Sequence, residues 1–281
     1  MSYENPPQPE HINVSREHPL KEFFSLLVVL ALIVAAATIT LSLSAQWLAG
    51  YIPFAAEERL VEAVGAPLLD ELNKPDSAEA LNRERYLRGL AERLARHLEL
   101  DDDIVLTLHY DTGDTRNAFA TLGGHVVIYR GLLDELPNEN VVAMVVAHEI
   151  AHIKLRHPIV AMSRGAAVAL AVGALLGFTD NPVAAQVINW FGVTSVLSFS
   201  RAQERAADEL AAQALLAEYG HLEGATDLFE RMAADRTAGE ALLFPEFVAT
   251  HPAIERRIEA LDALAEELGV SGDVTPLPWR Q

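Results

Sequence analysis

The sequence predicts a mainly helical α+β domain with a small mixed sheet, preceded by one N-terminal transmembrane helix. Three observations predict it. An uncharged run extends from Phe23 to Ala56. Three short alternating segments between residues 104 and 130 read as strands. The rest is Ala/Leu/Val-rich, 51% hydrophobic with only 7% aromatics, a balance that favours helices. A chain of 281 residues has room for one such domain and its appendages.

Residues 1–22 carry Pro6, Pro7, Pro9 and Pro19 among polar neighbours and read as a disordered tail. Residues 23–49 are predicted as the transmembrane helix. Phe23 to Leu43 alone would measure about 31 Å as a helix, against a bilayer core of about 30 Å. Trp47 and Tyr51 follow where interfacial aromatics belong. A cleaved signal peptide has an apolar region of roughly 7–15 residues, so this run is too long and begins too late to be one. Arg16 and Lys21 precede the run and Arg59 follows it, which favours a cytoplasmic N-terminus with the bulk of the chain outside.

The folded domain is predicted over residues 57–270. Asp76-Ser77-Ala78-Glu79 resembles a capping box, and Leu87, Leu90, Leu94 and Leu98 continue a helix from it. Ile104, Leu106, Leu108 and Tyr110 alternate as in a half-buried strand. Thr115 to Thr121 and His125 to Arg130 supply two more strands, with turns at residues 111–114 and at Gly123-Gly124. Asn138 caps the next helix and Pro158 ends it. Residues 159–200 form an apolar helical hairpin broken at Thr179-Asp180-Asn181-Pro182. Its small-residue stripe at Gly165, Ala169, Gly173 and Gly177 suits close helix packing, either across a membrane or against one. Arg201 to Tyr219 is a helix, a shorter one surrounds Leu228, Phe229 and Met232, and Pro252 opens the last. Residues 271–281, with Pro276 and Pro278, form a non-helical tail.

Charge and composition exclude some functions. With 40 acidic and 21 basic residues, a net charge of −19, no basic patch is expected for nucleic acid or an anionic surface. The absence of cysteine excludes disulfides, thiolate metal sites and a cysteine nucleophile.

The chemistry centres on His148-Glu149-Ile150-Ala151-His152. Histidines four apart share a helix face, so both rings can reach one metal ion. Glu149 stands where a carboxylate can take a proton from a water on that ion. The preceding run Val141 to Ala147 is wholly apolar, which predicts a buried helix. Burying two imidazoles and a carboxylate without a partner would cost on the order of several kcal/mol, and a metal supplies the partner. A wet face that happens to carry these residues is the plainer alternative.

A third protein ligand is expected. The extended pattern H-E-x-x-H-x-x-G-x-x-H fails, because Leu155 holds its glycine position and Pro158 its last. His157, one residue out of register, reads as a capping or surface histidine. Glu204 and Asp208, four apart, offer a carboxylate ligand and an acceptor for the far nitrogen of a ligand histidine. The same spacing suits a solvated charged face with Arg201, Arg205 and Glu209.

Four blocks are to be taken together: Asn117-Ala118-Phe119; His148-Glu149-Ile150-Ala151-His152; Phe199-Ser200-Arg201-Ala202-Gln203-Glu204-Arg205-Ala206-Ala207-Asp208; and Thr250-His251-Pro252 followed by Arg257 and Ile258. They resemble the membrane-associated zinc metallopeptidases of the HtpX, CAAX-prenyl-protease and BepA kind, the forty-eighth metallopeptidase family, whose F-S-R-x-x-E-x-x-A-D pattern the third block matches in full. Leu122 stands where that family often has proline, and Ala249 where serine is common. The resemblance implies a zincin-like fold with one Zn2+ per chain on His148, His152 and Glu204, and Asp208 behind the ligands. It implies Glu149 and His251 as catalytic residues, with Asn117, Ala118, Phe119 and Arg257 binding substrate. It further implies a membrane-anchored endopeptidase; with the bias of basic residues around the apolar run, the expected place is the cell inner membrane with the domain on the periplasmic side. Its partners would be polypeptide substrates and the bilayer, in quality control of misfolded or membrane-associated proteins. A latent or degenerate zinc-binding, chaperone-like scaffold is the alternative.

Overall fold

A computed structural model describes residues 19–62, 69–163, 165, 199–238, 244–251 and 254–280. Residues 1–18 of the expected tail, most of the expected hairpin 159–200, and Pro252 lie outside the described residues.

Helix α1 (Pro19–Ala49) begins before the expected span and ends with it. Its stretch Leu20–Ala37 has a mean hydropathy of 2.3 and buries nothing against the rest of the chain, so it is long and apolar enough to cross a membrane. At its far end Ala49 packs with Val61, Leu122 and Ile159, which seats the helix on the domain. Helix α2 (Phe54–Leu60) follows directly. Helix α3 (Ala78–His97) starts where Ser77 Oγ accepts from the Ala80 amide at 3.1 Å, and it buries Leu87, Leu90 and Leu94.

The sheet has three strands, β1 (Thr107–Asp111), β2 (Ala118–Thr121) and β3 (His125–Tyr129), in the order β1-β3-β2. β1 runs parallel to β3 with Thr107 opposite His125, and β2 runs antiparallel with Phe119 opposite Val127. β2 is therefore an edge among the described residues. The first strand starts later than its alternation predicts because the Ile104 amide closes a turn on the Asp101 carbonyl. The second is shorter, since Gly113 accepts from the Gly131 amide and holds the preceding segment in a turn. Gly124 carries the β2–β3 connection at φ 76°, and a Cβ there would stand 2.1 Å from the Val105 carbonyl oxygen.

After the short α4 (Arg130–Leu133) comes α5 (Glu139–Lys154), capped by Asn138 Oδ1, which accepts from the Val141 amide at 3.1 Å. Every residue from Glu139 to Ile153 is buried, as the apolar run predicts. The helix stops at Lys154 rather than at Pro158. Leu155 and Arg156 form a turn, Arg156 at φ 58°, and residues 157–163 are helical again. Pro158 falls in the first turn of that new helix, where its missing N–H costs nothing. Helix α6 (Arg201–Tyr219) has the full Ser200–Gln203 capping box and packs along α5; α7 (Asp227–Ala238), α8 (Pro245–Thr250) and α9 (Ile254–Leu268) close the domain.

The C-terminal segment is more than a tail. Thr275 donates its amide to Asn140 Oδ1 and accepts from the Glu139 amide, both at 2.8 Å. Leu277 is fully buried, Pro278–Arg280 forms a 3-10 turn, and Trp279 meets Tyr86 edge-on. These contacts join distant residues, so local sequence carries no sign of them.

Candidate active site

α5 and α6 lie side by side, and this brings two i,i+4 pairs face to face. His148 Nε2 and His152 Nε2 stand 3.0 Å apart. Glu204 reaches between them, with Oε2 3.5 Å from His148 Nε2 and Oε1 3.5 Å from His152 Nε2. From the end of α8, His251 Nδ1 lies 3.1 Å from Glu204 Oε2 and 3.3 Å from His148 Nε2. One donor atom from each of the four residues falls within 4.8 Å of the others. Donors at zinc–ligand distance in tetrahedral array stand about 3.3 Å apart, so this cluster fits one ion, and a nitrogen and carboxylate set without thiolate suits zinc.

The surroundings act on the two ligand histidines in opposite directions. Burial and the Arg257 cation work against a proton on His148, but the carboxylates of Asp208 and Glu204 outweigh them and raise its pKa to about 9. Burial, then the neighbouring His148, pushes His152 far below its ordinary value. Burial resists ionisation of Glu204, yet the facing His251 and His148 hold its carboxyl well below the usual range.

Each ligand histidine has its far nitrogen engaged. His148 Nδ1 lies 3.0 Å from Asp208 Oδ1, which fixes that ring's orientation. His152 Nδ1 lies 2.8 Å from His157 Nδ1. The sequence reading of His157 as a capping or surface residue is therefore corrected: it is buried behind the metal face. Phe199 stacks on the His152 ring at 3.9 Å between centroids.

Arg257, expected among the substrate-binding residues, lies against the donor cluster, its Nη2 3.3 Å from His148 Nε2. Its Nε and Nη2 donate to the two Asp208 oxygens at 2.8 and 2.7 Å, its Nη1 lies 2.7 Å from Glu204 Oε2, and its guanidinium lies over Phe229. It is a buried clamp behind the ligand carboxylates, held there because a cation so deep needs both of them.

Glu149 is wholly buried, and among the described residues neither carboxylate oxygen has a hydrogen-bond partner. Its nearest counter-group is His251 Nε2, 3.4 Å from Oε1 and likewise without a hydrogen bond. Buried carboxylates are normally satisfied, so unpaired acceptors beside a metal cluster point to a group that comes and goes. His251 differs from the three-ligand expectation, because its Nδ1 joins the donors while its Nε2 faces Glu149. Asn117, Ala118 and Phe119 lie at the start of β2, all buried, with Asn117 Oδ1 unpartnered; β2 packs against α5.

A family model described as peptidase family M48 matches residues 81–265. The mitochondrial metalloendopeptidase OMA1 of Schizosaccharomyces pombe is 30% identical over 176 residues, covering 62% of this chain and 50% of that protein. The beta-barrel assembly-enhancing protease of Escherichia coli K12 is 31% identical over 185 residues, covering 62% of this chain and 37% of that protein. The chain thus spans between about a third and a half of the length of these curated relatives.

Proposed function

Because the chain belongs to peptidase family M48, we propose that it is a zinc-dependent endopeptidase carried on a membrane anchor. One observation carries the reading: His148, His152 and Glu204 converge from two helices beside a buried, unpaired Glu149. Zinc, when bound, supplies Lewis acidity that makes water nucleophilic near neutral pH and polarises the scissile carbonyl. Both Glu149 oxygens are free to accept the proton of the attacking water and hand it to the leaving amine. His251, with Nε2 turned to the same side, donates to the oxygen that gains charge in the transition state. Arg257 balances the Asp208 and Glu204 charges from behind.

Substrate enters extended along the β2 edge at Asn117, Ala118 and Phe119 and pairs with main chain, a mode that reads backbone more than side chains. Such weak sequence preference suits misfolded or membrane-associated proteins; with α1 crossing the cell inner membrane, the basic residues Arg16 and Lys21 ahead of it favour a domain on the periplasmic side.

Casein cleavage by the full chain, measured with zinc content and with and without a chelator, tests the roles. Glu149→Gln is expected to keep its zinc and lose activity by several orders of magnitude, in proportion to the loss of a positioned proton acceptor. Cleavage at near the wild-type rate would remove Glu149 from the reaction. The position of His251 Nδ1 among the donors favours a second reading, a latent zinc protein with a closed fourth position. His251→Ala separates the two: it lowers activity in the first and raises it in the second.

A further inference from the structure

The turn after the metal helix holds a buried histidine that the hydrolysis does not use. On an unbroken helix a residue five positions beyond His152 would point roughly 140° away from it. The break at Leu155–Arg156 returns His157 to the metal side, with its Nδ1 2.8 Å from His152 Nδ1 and the two rings edge to face. That break depends on Arg156 at φ 58°, a left-handed conformation that a side chain with a Cβ adopts only under constraint.

The constraint comes from the segment joining the anchor to the domain. Glu57 of α2 is 3% exposed, and its Oε1 accepts from Arg156 Nε at 2.7 Å. Its Oε2 accepts from the Gly123 amide at 3.2 Å. Arg156 Nη2 pairs with the same Oε1 and donates to the Ile52 carbonyl at 2.8 Å, with the guanidinium over the Phe54 ring. Residues 52–57 thus grip the turn from one side while α5 holds it from the other.

We propose that His157 is a positioning residue for the metal site, accepting a hydrogen bond from His152 Nδ1, and that the Glu57–Arg156 pair holds the turn that places it. The inference rests on the metal reading above. His152 directs Nε2 at the donor cluster, so a neutral ring giving that nitrogen to a cation must carry its proton on Nδ1. His157 Nδ1 is the atom facing that proton; as acceptor it carries its own hydrogen on Nε2. The two ligand histidines are then oriented by different partners, His148 by the carboxylate of Asp208 and His152 by an imidazole. An imidazole fixes the ring without adding negative charge to a pocket already holding Glu149, Glu204 and Asp208. It also ties the orientation of the His152 ring to the stretch that follows α1.

The test uses the full-length protein in detergent, with zinc affinity read by competition against a chromophoric chelator. His157→Leu is expected to weaken zinc binding about 10- to 100-fold, the usual cost of losing an outer partner. His157→Asn, whose Oδ1 can take the place of Nδ1, should stay within about threefold of wild type. Glu57→Leu should weaken binding about three- to tenfold through the turn alone. Nitrogen-15 NMR of the histidine-labelled, zinc-loaded wild type should show His157 protonated on Nε2 and His152 on Nδ1, a readout that needs no variant to fold. Wild-type affinity in His157→Leu, an Asn variant as weak as the Leu variant, or a proton on His157 Nδ1 would overturn the inference. Unchanged affinity in Glu57→Leu would overturn the part played by the clamp. Zinc content of the wild type distinguishes these failures from failure of the metal reading, because a chain that takes up no zinc overturns both.

Discussion

At the start of α5, Glu139 has both oxygens occupied: Tyr86 donates to Oε2, and Tyr219 and Arg93 donate to Oε1 at 2.9 and 2.8 Å. Further along the same helix, Glu149 is more deeply buried and has no donor on either oxygen among the described residues. The first network is closed outward as well, since Arg93 also grips Glu218, which in turn meets His97. Burial, reinforced by the Glu139 carboxylate, pushes both phenols above their ordinary range, so they remain donors. The difference teaches how to tell two buried carboxylates apart. One is part of what holds α3, α5 and α6 together; the other carries a desolvation cost that only chemistry at the site explains.

The largest effect should come from the closed end. Glu139→Leu strands two phenols and leaves Arg93 with Glu218 alone, and is expected to cost about 3 kcal/mol, or roughly 10 °C in Tm, by thermal unfolding. Zinc affinity per folded molecule should hardly move. A stability loss under about 1 kcal/mol would show that this network is exposed enough to be replaced by water, and the contrast with Glu149 would lose its force.

The open end should respond with the opposite sign. Glu149→Leu removes a buried carboxyl group that accepts no hydrogen bond and is expected to stabilise the chain by about 1–2 kcal/mol, while peptidase activity is lost and zinc is kept. Destabilisation by a similar amount would mean that Glu149 makes structural contacts and is not held in reserve for a substrate.

The same contrast explains what could be read from the sequence. His148, Glu149 and His152 are legible because their relation is local and the helix period fixes it. Glu204 and Asp208 share a face for the same reason, but spacing alone leaves a ligand pair and a wet face equally acceptable; only the resemblance decides. His157 was misread because its approach to His152 depends on a left-handed arginine, and no residue type announces that. The contacts of Arg257 are not legible because its partners lie on another helix, and the apolar surface of Phe229 that receives it is equally distant in sequence. The long apolar helix α1 is legible from composition and length, whereas the docking of residues 275–280 depends on Asn140 and Tyr86, far back in the chain.

A third polar pair asks whether a made hydrogen bond is enough to remove the cost of burial. His109 Nε2 and His125 Nδ1 stand 2.8 Å apart on β1 and β3, half-buried. Burial, and then the neighbouring His125, lowers the His109 pKa to about 4. Between that value and an unfolded value near about 6.5, the unfolded chain binds more protons than the native one, so stability rises with pH across this window and is lost on acidification. Above it both states are neutral and the pair contributes no pH dependence. Because the rings are partly solvated, the loss on going from pH 7.5 to 4.5 should be about 1 kcal/mol, well short of the value full burial would give. Denaturant unfolding of wild type and His109→Gln at the two pH values isolates this pair from the carboxylates of the metal site. The wild type should lose about 1 kcal/mol more than the variant; parallel losses would show that the pair is as indifferent to protonation as a surface histidine, and that a single good hydrogen bond suffices.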